Sequence, residues 1–350
     1  MELRLRNDVP GLIRLCTAKD RPRLMALYSQ IWGHQFAELM ERIHRWKYEE
    51  HPWGEGLPRS LVLEANGEVA GFMGVIPARF KVGGRTVEGC WLTDVMVAPV
   101  ARGPGGPSLV TAIQQREPLT LGASGTGLRR FWRRATRQTG VLVASLSRVR
   151  RRFGLKGAAL RTAGGASQIS AILGARPDTG DIMVEAGSFP REEGWMAPIL
   201  ATFDNVPLRG EDYLRWRYDR CPYGAHGIFV AYRRGHGPQG YLVLREDRKD
   251  VALIVDTLAG KEDDAVAYAL IEAALRRARA IGKEIVETLE PRAGALMRSL
   301  HLHGFLPPMR RQSEFTIVAS TTIQDLTEQL YHNGSSWYFT LGDSDTDMRT

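Results

Sequence analysis

The residues best suited to chemistry lie where a strand-like run ends in a glycine-rich segment. The run is Trp91–Ala98, and the segment that follows is Arg102-Gly-Pro-Gly-Gly-Pro-Ser-Leu109. Glycine lets the backbone approach a ligand closely, and amides at the start of a helix bind anions. The pattern therefore predicts a phosphate cradle. Its expected donors are the backbone amides of Gly103, Gly105, Gly106, Ser108 and Leu109.

A helix is expected directly after this cradle, from Ser108 to Gln115. Pro107 suits the first helical position, where a missing N–H costs nothing. The segment lacks the Gly-Lys-Ser/Thr ending of a Walker loop, and it does not sit in an N-terminal βαβ unit like a dinucleotide fingerprint. It predicts a different kind of phosphate site.

The segment resembles the acetyl-CoA pyrophosphate loop of the GNAT (Gcn5-related) N-acetyltransferases, which reads Gln/Arg-x-x-Gly-x-Gly/Ala after a Val-x-Pro strand end. Arg102, Gly103 and Gly105 fit this loop, and Pro107 replaces its last Gly/Ala. The resemblance implies that the preceding strand splays from its neighbour, commonly at a β-bulge. It also implies that Met96, Val97 and Ala98 line the acyl-CoA, with an amide near Met96 polarising the thioester carbonyl.

The implied reaction is direct attack of an amine on acetyl-CoA. Because an amine is mostly protonated at neutral pH, a group must take its proton; Asp94 is the first candidate and Glu88 the second. The alternative for Asp94 is structural, as a strand-end carboxylate that caps a backbone N–H. Many GNAT enzymes protonate the leaving thiolate with a Tyr placed four residues before a Gly; here Thr136 and Leu300 hold that spacing.

A motif that occurs twice indicates a duplication. The stretch Trp46–Gly54 recurs 170 residues later as Trp216–Gly224, with Trp, Tyr, Pro and Gly in register. Each copy is followed by a hairpin, a strand with an Asp (Asp94 and Asp256), a loop, a helix and a strand. We therefore expect an α/β (α+β) fold of two tandem GNAT-like domains, each a mixed, mostly antiparallel sheet flanked by helices. The motif predicts a helix end packed under the sheet; the alternative places Tyr48, His51 and Trp53 at an acceptor pocket.

The expected domain boundaries follow the repeat. Residues 1–153 are the N-terminal acyl-CoA-binding domain, 154–203 a connecting segment, 204–320 a degenerate C-terminal GNAT-like domain, and 321–350 a helix with an acidic tail. The second copy is called degenerate because Lys261-Glu-Asp-Asp264 stands where the first has glycines. Acids at that place would repel the CoA phosphates.

Composition restricts the remaining functions. The 350 residues carry a net charge of +8, concentrated in a basic segment, 129–156, that predicts contact with an anionic ligand or a membrane surface as an alternative to a solvated face. The sequence has no run long enough to span a membrane, and we expect no specific nucleic acid partner. Three separated cysteines predict a cytoplasmic protein without metal.

The sequence thus predicts an acetyl transfer from acetyl-CoA to a primary amine of a small molecule or amino sugar. Two alternatives stay open. One is a tandem-GNAT aminoacyltransferase of the peptidoglycan-bridge type, and the other is a non-catalytic binding module.

Overall fold

The computed structural model describes residues 3–4, 11–54, 59–124, 141–154, 175–306, 314–332, 336–345 and 347. The chain divides into two compact units. Unit 1 comprises residues 1–143, 221–223 and 316–334, and unit 2 comprises residues 144–220, 224–315 and 335–350. Of the basic segment 129–156, residues 129–140, 155 and 156 lie outside the described residues.

Unit 1 is built on a mostly antiparallel sheet with helices on it. The strands from the N-terminal part of the chain are β1 (Leu3–Arg4), β2 (Leu12–Leu15), β3 (Leu61–Ala65), β4 (Glu68–Val82), β5 (Arg85–Val97) and β6 (Leu119–Ser124). They lie in this order, and β14 (Glu314–Thr321) follows β6. Only β5 and β6 pair in parallel within this ladder of described strands.

The helices of unit 1 are α1 (Arg21–Trp32), α2 (His34–Tyr48), α3 (Gly105–Arg116) and α8 (Gln324–His332). Pro22 lies in the first turn of α1, where it displaces no hydrogen bond. Asn66 and Gly67 have φ values of 53° and 81°, so they form the two-residue turn between β3 and β4 that the Asn-Gly pair predicts. Helix α3 begins three residues earlier than the expected start at Ser108.

Unit 2 has a second mixed sheet. Its strands are β7 (Val141–Arg152), β8 (Ile182–Gly187), β10 (His226–Arg233), β11 (Pro238–Arg245), β12 (Val251–Ala259) and β13 (Ile285–Leu289), in the order β7-β13-β12-β11-β10-β8. Its helices are α4 (Ala197–Ala201), α5 (Glu211–Leu214), which continues as a π-turn over Arg215–Asp219, α6 (Asp264–Ala280) and α7 (Ala295–Leu302). The short strand β9 (Asn205–Pro207) bridges to Trp337. The expected α/β class of mixed, mostly antiparallel sheets flanked by helices is confirmed.

In each unit, one strand at the end of the sheet comes from a part of the sequence far from the strand it pairs with. Strand β14 pairs with β6, for example Thr316 with Ser124, and thereby extends the sheet of unit 1. Strand β7 pairs with β13, for example Arg148 with Leu289, and thereby extends the sheet of unit 2. The compact units therefore differ from a linear division at residues 153 and 204, because these two strands pair with partners distant in sequence.

The C-terminal residues 336–345 and 347 belong to unit 2 and are mostly buried. The Asp343 carboxylate accepts a hydrogen bond from Arg209 over 2.5 Å, and the Asp347 carboxylate accepts one from Arg217. These aspartates are internal ion-pair partners rather than solvated charges. The carboxylates of this tail thus stabilise unit 2 through arginines on the chain segment around α5.

Candidate functional site

The centre of the candidate site is a β-bulge in β5. Phe72 of β4 pairs with Met96, but Gly74 pairs with Thr93, so β5 has one residue more than its partner at this point. Asp94 lies in the bulge with φ +47°, a left-handed conformation that Asp adopts more readily than most residues. A bulge of this kind interrupts the ladder and redirects backbone groups.

Beyond the bulge, β5 separates from its parallel neighbour. The described pairs between β5 and β6 end at Leu92 with Gly122. On the opposite edge the Ala98 N–H donates to the Ala70 carbonyl over 2.8 Å. Because hydrogen-bonded and non-hydrogen-bonded pairs alternate in an antiparallel ladder, Met96 directs its N–H toward β4 and Val97 directs its N–H toward the open side. Among Met96, Val97 and Ala98, the residues expected to line the acyl-CoA, it is therefore Val97 whose N–H points to the open side of β5, where pairing with β6 has ended.

The cradle lies where the chain leaves β5. Helix α3 starts at Gly105 with Pro104 as its N-cap, and the Ser108 N–H donates to the Pro104 carbonyl over 2.9 Å. Ser108 and Leu109 therefore belong to the helical hydrogen-bond ladder. The first helical turn leaves its amides without intrahelical acceptors, so the N–H groups of Gly105 and Gly106 are suited to an anion.

The exposed approach to this helix end is positively charged and shaped by one glycine. Arg102 and Gly103 are exposed, and Gly103 has φ +98° with open space around it. Gly105 instead packs closely: a Cβ there would lie 2.9 Å from Leu63 Cδ2 and 3.2 Å from Val97 Cγ1. Gly105 therefore serves helix–sheet packing as well as presenting its N–H. The geometry suits a phosphate or pyrophosphate group.

The Asp94 carboxylate lies in a buried cluster of donors. Asp94 Oδ2 accepts hydrogen bonds from Lys47 Nζ (2.7 Å), from the Tyr28 hydroxyl (3.1 Å) and from the Tyr48 hydroxyl. The side chains of Lys47 and Asp94 are 1% and 0% exposed. Because the carboxylate is surrounded by these donors, its main physical effect is to hold β5 against α1 and α2. Lys47 and Tyr48 lie 47 and 46 residues before Asp94 in the sequence, so no local pattern predicted that they would contact it.

Glu88, the second candidate base, lies elsewhere. It is an exposed residue of β5 that forms an ion pair with Arg79 at 3.5 Å. It lies nine positions before Val97, roughly 30 Å along a strand. The structure does not bring Glu88 to the site.

The repeated motif places the same contact in both units. The Tyr218 and Tyr241 hydroxyls of unit 2 donate to Asp256 Oδ2 over 2.9 Å each. A register shift also occurs beside Asp256, where Val243 pairs with Asp256 but Leu244 pairs with Ile254. The Tyr of the motif thus anchors a bulged strand in each unit, as expected for a helix end packed under the sheet.

The second unit differs at the cradle. The Asp263 carboxylate accepts the Val266 N–H over 3.2 Å and caps α6. Arg233 donates to both oxygens of Asp263 over 3.0 Å. The Asp263 carboxylate therefore already occupies the start of α6, whereas the start of α3 in unit 1 has no such side chain. The negative charge of Asp263 also opposes the binding of a phosphate at this helix end.

Two further features of the described residues bear on function. They contain no cluster of three or more His, Cys, Asp or Glu side chains arranged to hold a metal ion. No helix among them is long and apolar enough to cross a membrane. The described arginines of the basic segment lie on β7, where Arg148 and Arg150 contact Glu287 at 3.7 and 3.5 Å.

Comparisons with known proteins concern the domain family and the fold. Residues 12–115 match the acetyltransferase (GNAT) domain family. No curated protein matches the chain significantly. Among solved structures, a GCN5-related N-acetyltransferase from Anabaena variabilis is similar with a TM-score of 0.57 and 13% identity, over 88% of this chain and 72% of that one.

Two other solved structures are similar over 91% of this chain. A probable N-acyltransferase from Enterococcus faecalis has a TM-score of 0.56 at 12% identity, with 74% of its own chain covered. The N-myristoyltransferase of Saccharomyces cerevisiae, solved with bound myristoyl-CoA and inhibitors, has a TM-score of 0.55 at 10% identity, with 81% covered. At these identities the likeness concerns the fold.

Proposed function

Because residues 12–115 match the acetyltransferase (GNAT) domain family, we propose that the chain is an acyl-CoA-dependent N-acyltransferase whose reaction takes place in unit 1. The observation that carries the proposal is the combination at one end of β5. An open strand edge at Val97 adjoins a helix terminus with free amides at Gly105 and Gly106. That combination suits a molecule with both a carbonyl and a pyrophosphate.

In the proposed complex the phosphates lie on the Gly105 and Gly106 amides, and Arg102 adds positive charge. The Val97 N–H donates to the thioester carbonyl and stabilises the oxygen as negative charge develops. A primary amine attacks the carbonyl carbon, the C–S bond breaks, and the amine loses one proton. Acetyl-CoA is the proposed donor, and a small-molecule amine or an amino sugar is the proposed acceptor.

We assign Asp94 a positioning role in this reaction rather than that of the base. Asp256, the corresponding residue of unit 2, accepts the same hydrogen bond from Tyr218 of the repeated motif. In that unit the start of α6 is capped by the Asp263 carboxylate. A contact retained where the cradle is absent serves the scaffold. In unit 1 that scaffold sets the position of the Val97 amide.

The cradle is tested by calorimetry with acetyl-CoA. Gly103→Ala is the informative variant, because a side chain at φ +98° strains the loop without meeting another atom. Gly84→Ala is its matched control, since Gly84 has φ +82°, also has open space, and lies at the far end of β5. We expect a Kd between about 1 μM and 1 mM for the natural chain and the control, and binding at least about tenfold weaker for Gly103→Ala, about 1.4 kcal/mol.

Turnover is tested by thiol release from acetyl-CoA with primary amines, amino sugars included. Absence of binding at millimolar acetyl-CoA would reject the proposal and leave the aminoacyltransferase and the binding module. Binding without release for any amine would favour the binding module.

A further inference from the structure

A buried histidine in unit 1 has no hydrogen-bond partner in the described part of the chain. His44 lies on α2 and is 5% exposed. Neither its Nδ1 nor its Nε2 has a hydrogen-bond partner among the described residues. The Glu49 carboxylate lies 3.7 Å from Nδ1, beyond a hydrogen bond, and is half-exposed. Buried polar groups are normally hydrogen-bonded, so this ring needs an explanation.

The ring lies beside the bulge. It packs edge-on against Tyr48, with centroids 5.0 Å apart, and lies tilted against Phe72, with centroids 6.1 Å apart. Tyr48 donates to Asp94, and Phe72 pairs with Met96, the residue before Val97. His44 is therefore on the face of the sheet that carries Asp94, and it contacts the residue that pairs with Met96.

Burial, aided by two neighbouring cations, keeps the imidazole of His44 neutral. Burial lowers its pKa to about 4, and Arg21 of α1 and Lys47 of α2 act in the same direction, while Asp94 of β5 opposes them. A neutral imidazole offers one nitrogen lone pair as a proton acceptor. Carboxylates of similar basicity serve as general bases in other enzymes.

The internal repeat indicates that the fold does not require this imidazole. The position of the second copy that corresponds to His44 is Leu214, 170 residues later, and Leu214 is fully buried. The neighbouring Trp and Tyr of the motif are kept in both copies. A polar side chain without a partner thus occurs in the unit with the open cradle, and an apolar one replaces it where Asp263 caps the helix.

We propose that His44 is the proton acceptor of the transfer reaction, an assignment that rests on the proposed function. As the amine nitrogen forms its bond to the carbonyl carbon and the C–S bond breaks, the proton leaves nitrogen for His44. The other ring nitrogen releases a proton through Glu49 to solvent. The departing thiolate takes a proton from water, so that amine and thioester yield amide and thiol.

The test compares His44→Leu, His44→Gln and His44→Ala in the full chain with the natural protein. His44→Leu copies the residue of the second copy, and His44→Gln keeps a polar side chain of similar size without a comparable base. We expect kcat for acetyl-CoA and the best amine to fall about 100-fold or more in all three, with the calorimetric Kd for acetyl-CoA unchanged. Added imidazole should restore at least about tenfold of the loss in His44→Ala only.

The outcomes separate this assignment from the proposed function. A natural chain that binds no acetyl-CoA, or turns over no amine, overturns both. A natural chain with turnover, together with His44→Gln or His44→Leu variants that retain kcat, overturns the assignment of His44 alone. Loss of acetyl-CoA affinity in step with kcat would show a structural role and would also overturn it.

Discussion

The Tyr218 hydroxyl donates a hydrogen bond to Asp256 Oδ2 over 2.9 Å. Tyr48 and Asp94 make the same contact in the first copy, and both aspartates lie beside a bulge. Because the two units share this bond but not the cradle, we infer that it serves the fold. In unit 1 the bond connects the end of α2 to β5, the strand whose pairing with β6 ends at Leu92.

Removing the charge of Asp94 should therefore destabilise the protein. Asp94→Asn keeps a residue that tolerates φ +47° but leaves the buried Lys47 ammonium without its carboxylate, which costs about 3–5 kcal/mol. Urea unfolding followed by fluorescence measures this loss.

A milder variant provides the control for Asp94. Tyr48→Phe removes one donor and keeps the ion pair with Lys47, so it should lose about 1–2 kcal/mol. Equal and small losses in Asp94→Asn and Tyr48→Phe would contradict a buried, charge-dependent cluster.

One acetyl-CoA should bind per chain. In unit 2 the carboxylate of Asp263 caps α6 and pairs with Arg233, so the helix end repels an anion. Calorimetry of the natural chain should give a stoichiometry of about one, while Asp263→Ala should lower stability by about 1 kcal/mol through loss of the cap. A second binding event that disappears in Arg233→Ala would show that unit 2 also holds a phosphate.

A fragment of residues 1–153 should not fold into unit 1. It lacks β14, whose pairing covers the edge of β6 from Thr316–Ser124 to Thr321–Leu119, and an uncovered edge favours aggregation. We expect aggregation or non-cooperative unfolding by circular dichroism. Joining residues 310–334 to this fragment through a flexible linker should restore a cooperative transition, and a monodisperse, cooperatively unfolding 1–153 fragment would refute the expectation.

Acid should destabilise the protein through buried neutral histidines. Burial lowers the pKa of His44 to about 4 from 6.5, so the unfolded chain binds the proton first as the pH falls. The stabilising contribution is complete above pH 6.5 and is lost as the pH falls through 4, by up to roughly 3 kcal/mol.

One variant tests whether His44 causes the loss of stability between pH 7 and pH 4. His44→Leu should flatten the dependence of unfolding free energy on pH between 7 and 4, while His226 and His303, whose pKa values are also lowered to about 4 by burial, keep a remaining slope. An unchanged slope in His44→Leu would show that His44 is not buried in its neutral form.

Local patterns predicted much of unit 1. The Asn66–Gly67 turn, the β5 strand and the glycine segment after it follow from backbone preferences of residues close in sequence. Helix α3 starts at Gly105 instead of the expected Ser108, because Pro107 is equally acceptable at the third helical position, where no intrahelical N–H bond is needed. Local preference alone could not separate the two positions.

The site depended more strongly on distant contacts. Glu88 and Asp94 are similar acids on one strand, yet one is exposed beside Arg79 and the other is buried with Lys47. His44 gave no signal in a single sequence, because an unpaired buried ring is recognised only when its surroundings are known. Its contrast with Leu214 acquires meaning once both are seen to be buried.

The sequence by itself determined the repeat, the order of elements and the location of the glycine segment proposed to bind phosphate, because these depend on residue types at short spacing. The tertiary structure decided which strand completes each unit, which acid is buried and which amide of β5 faces the open edge. Those properties arise from pairing between β6 and β14 and from packing of α2 on the sheet. Contacts between residues far apart in the chain leave no short-range pattern from which they could be predicted.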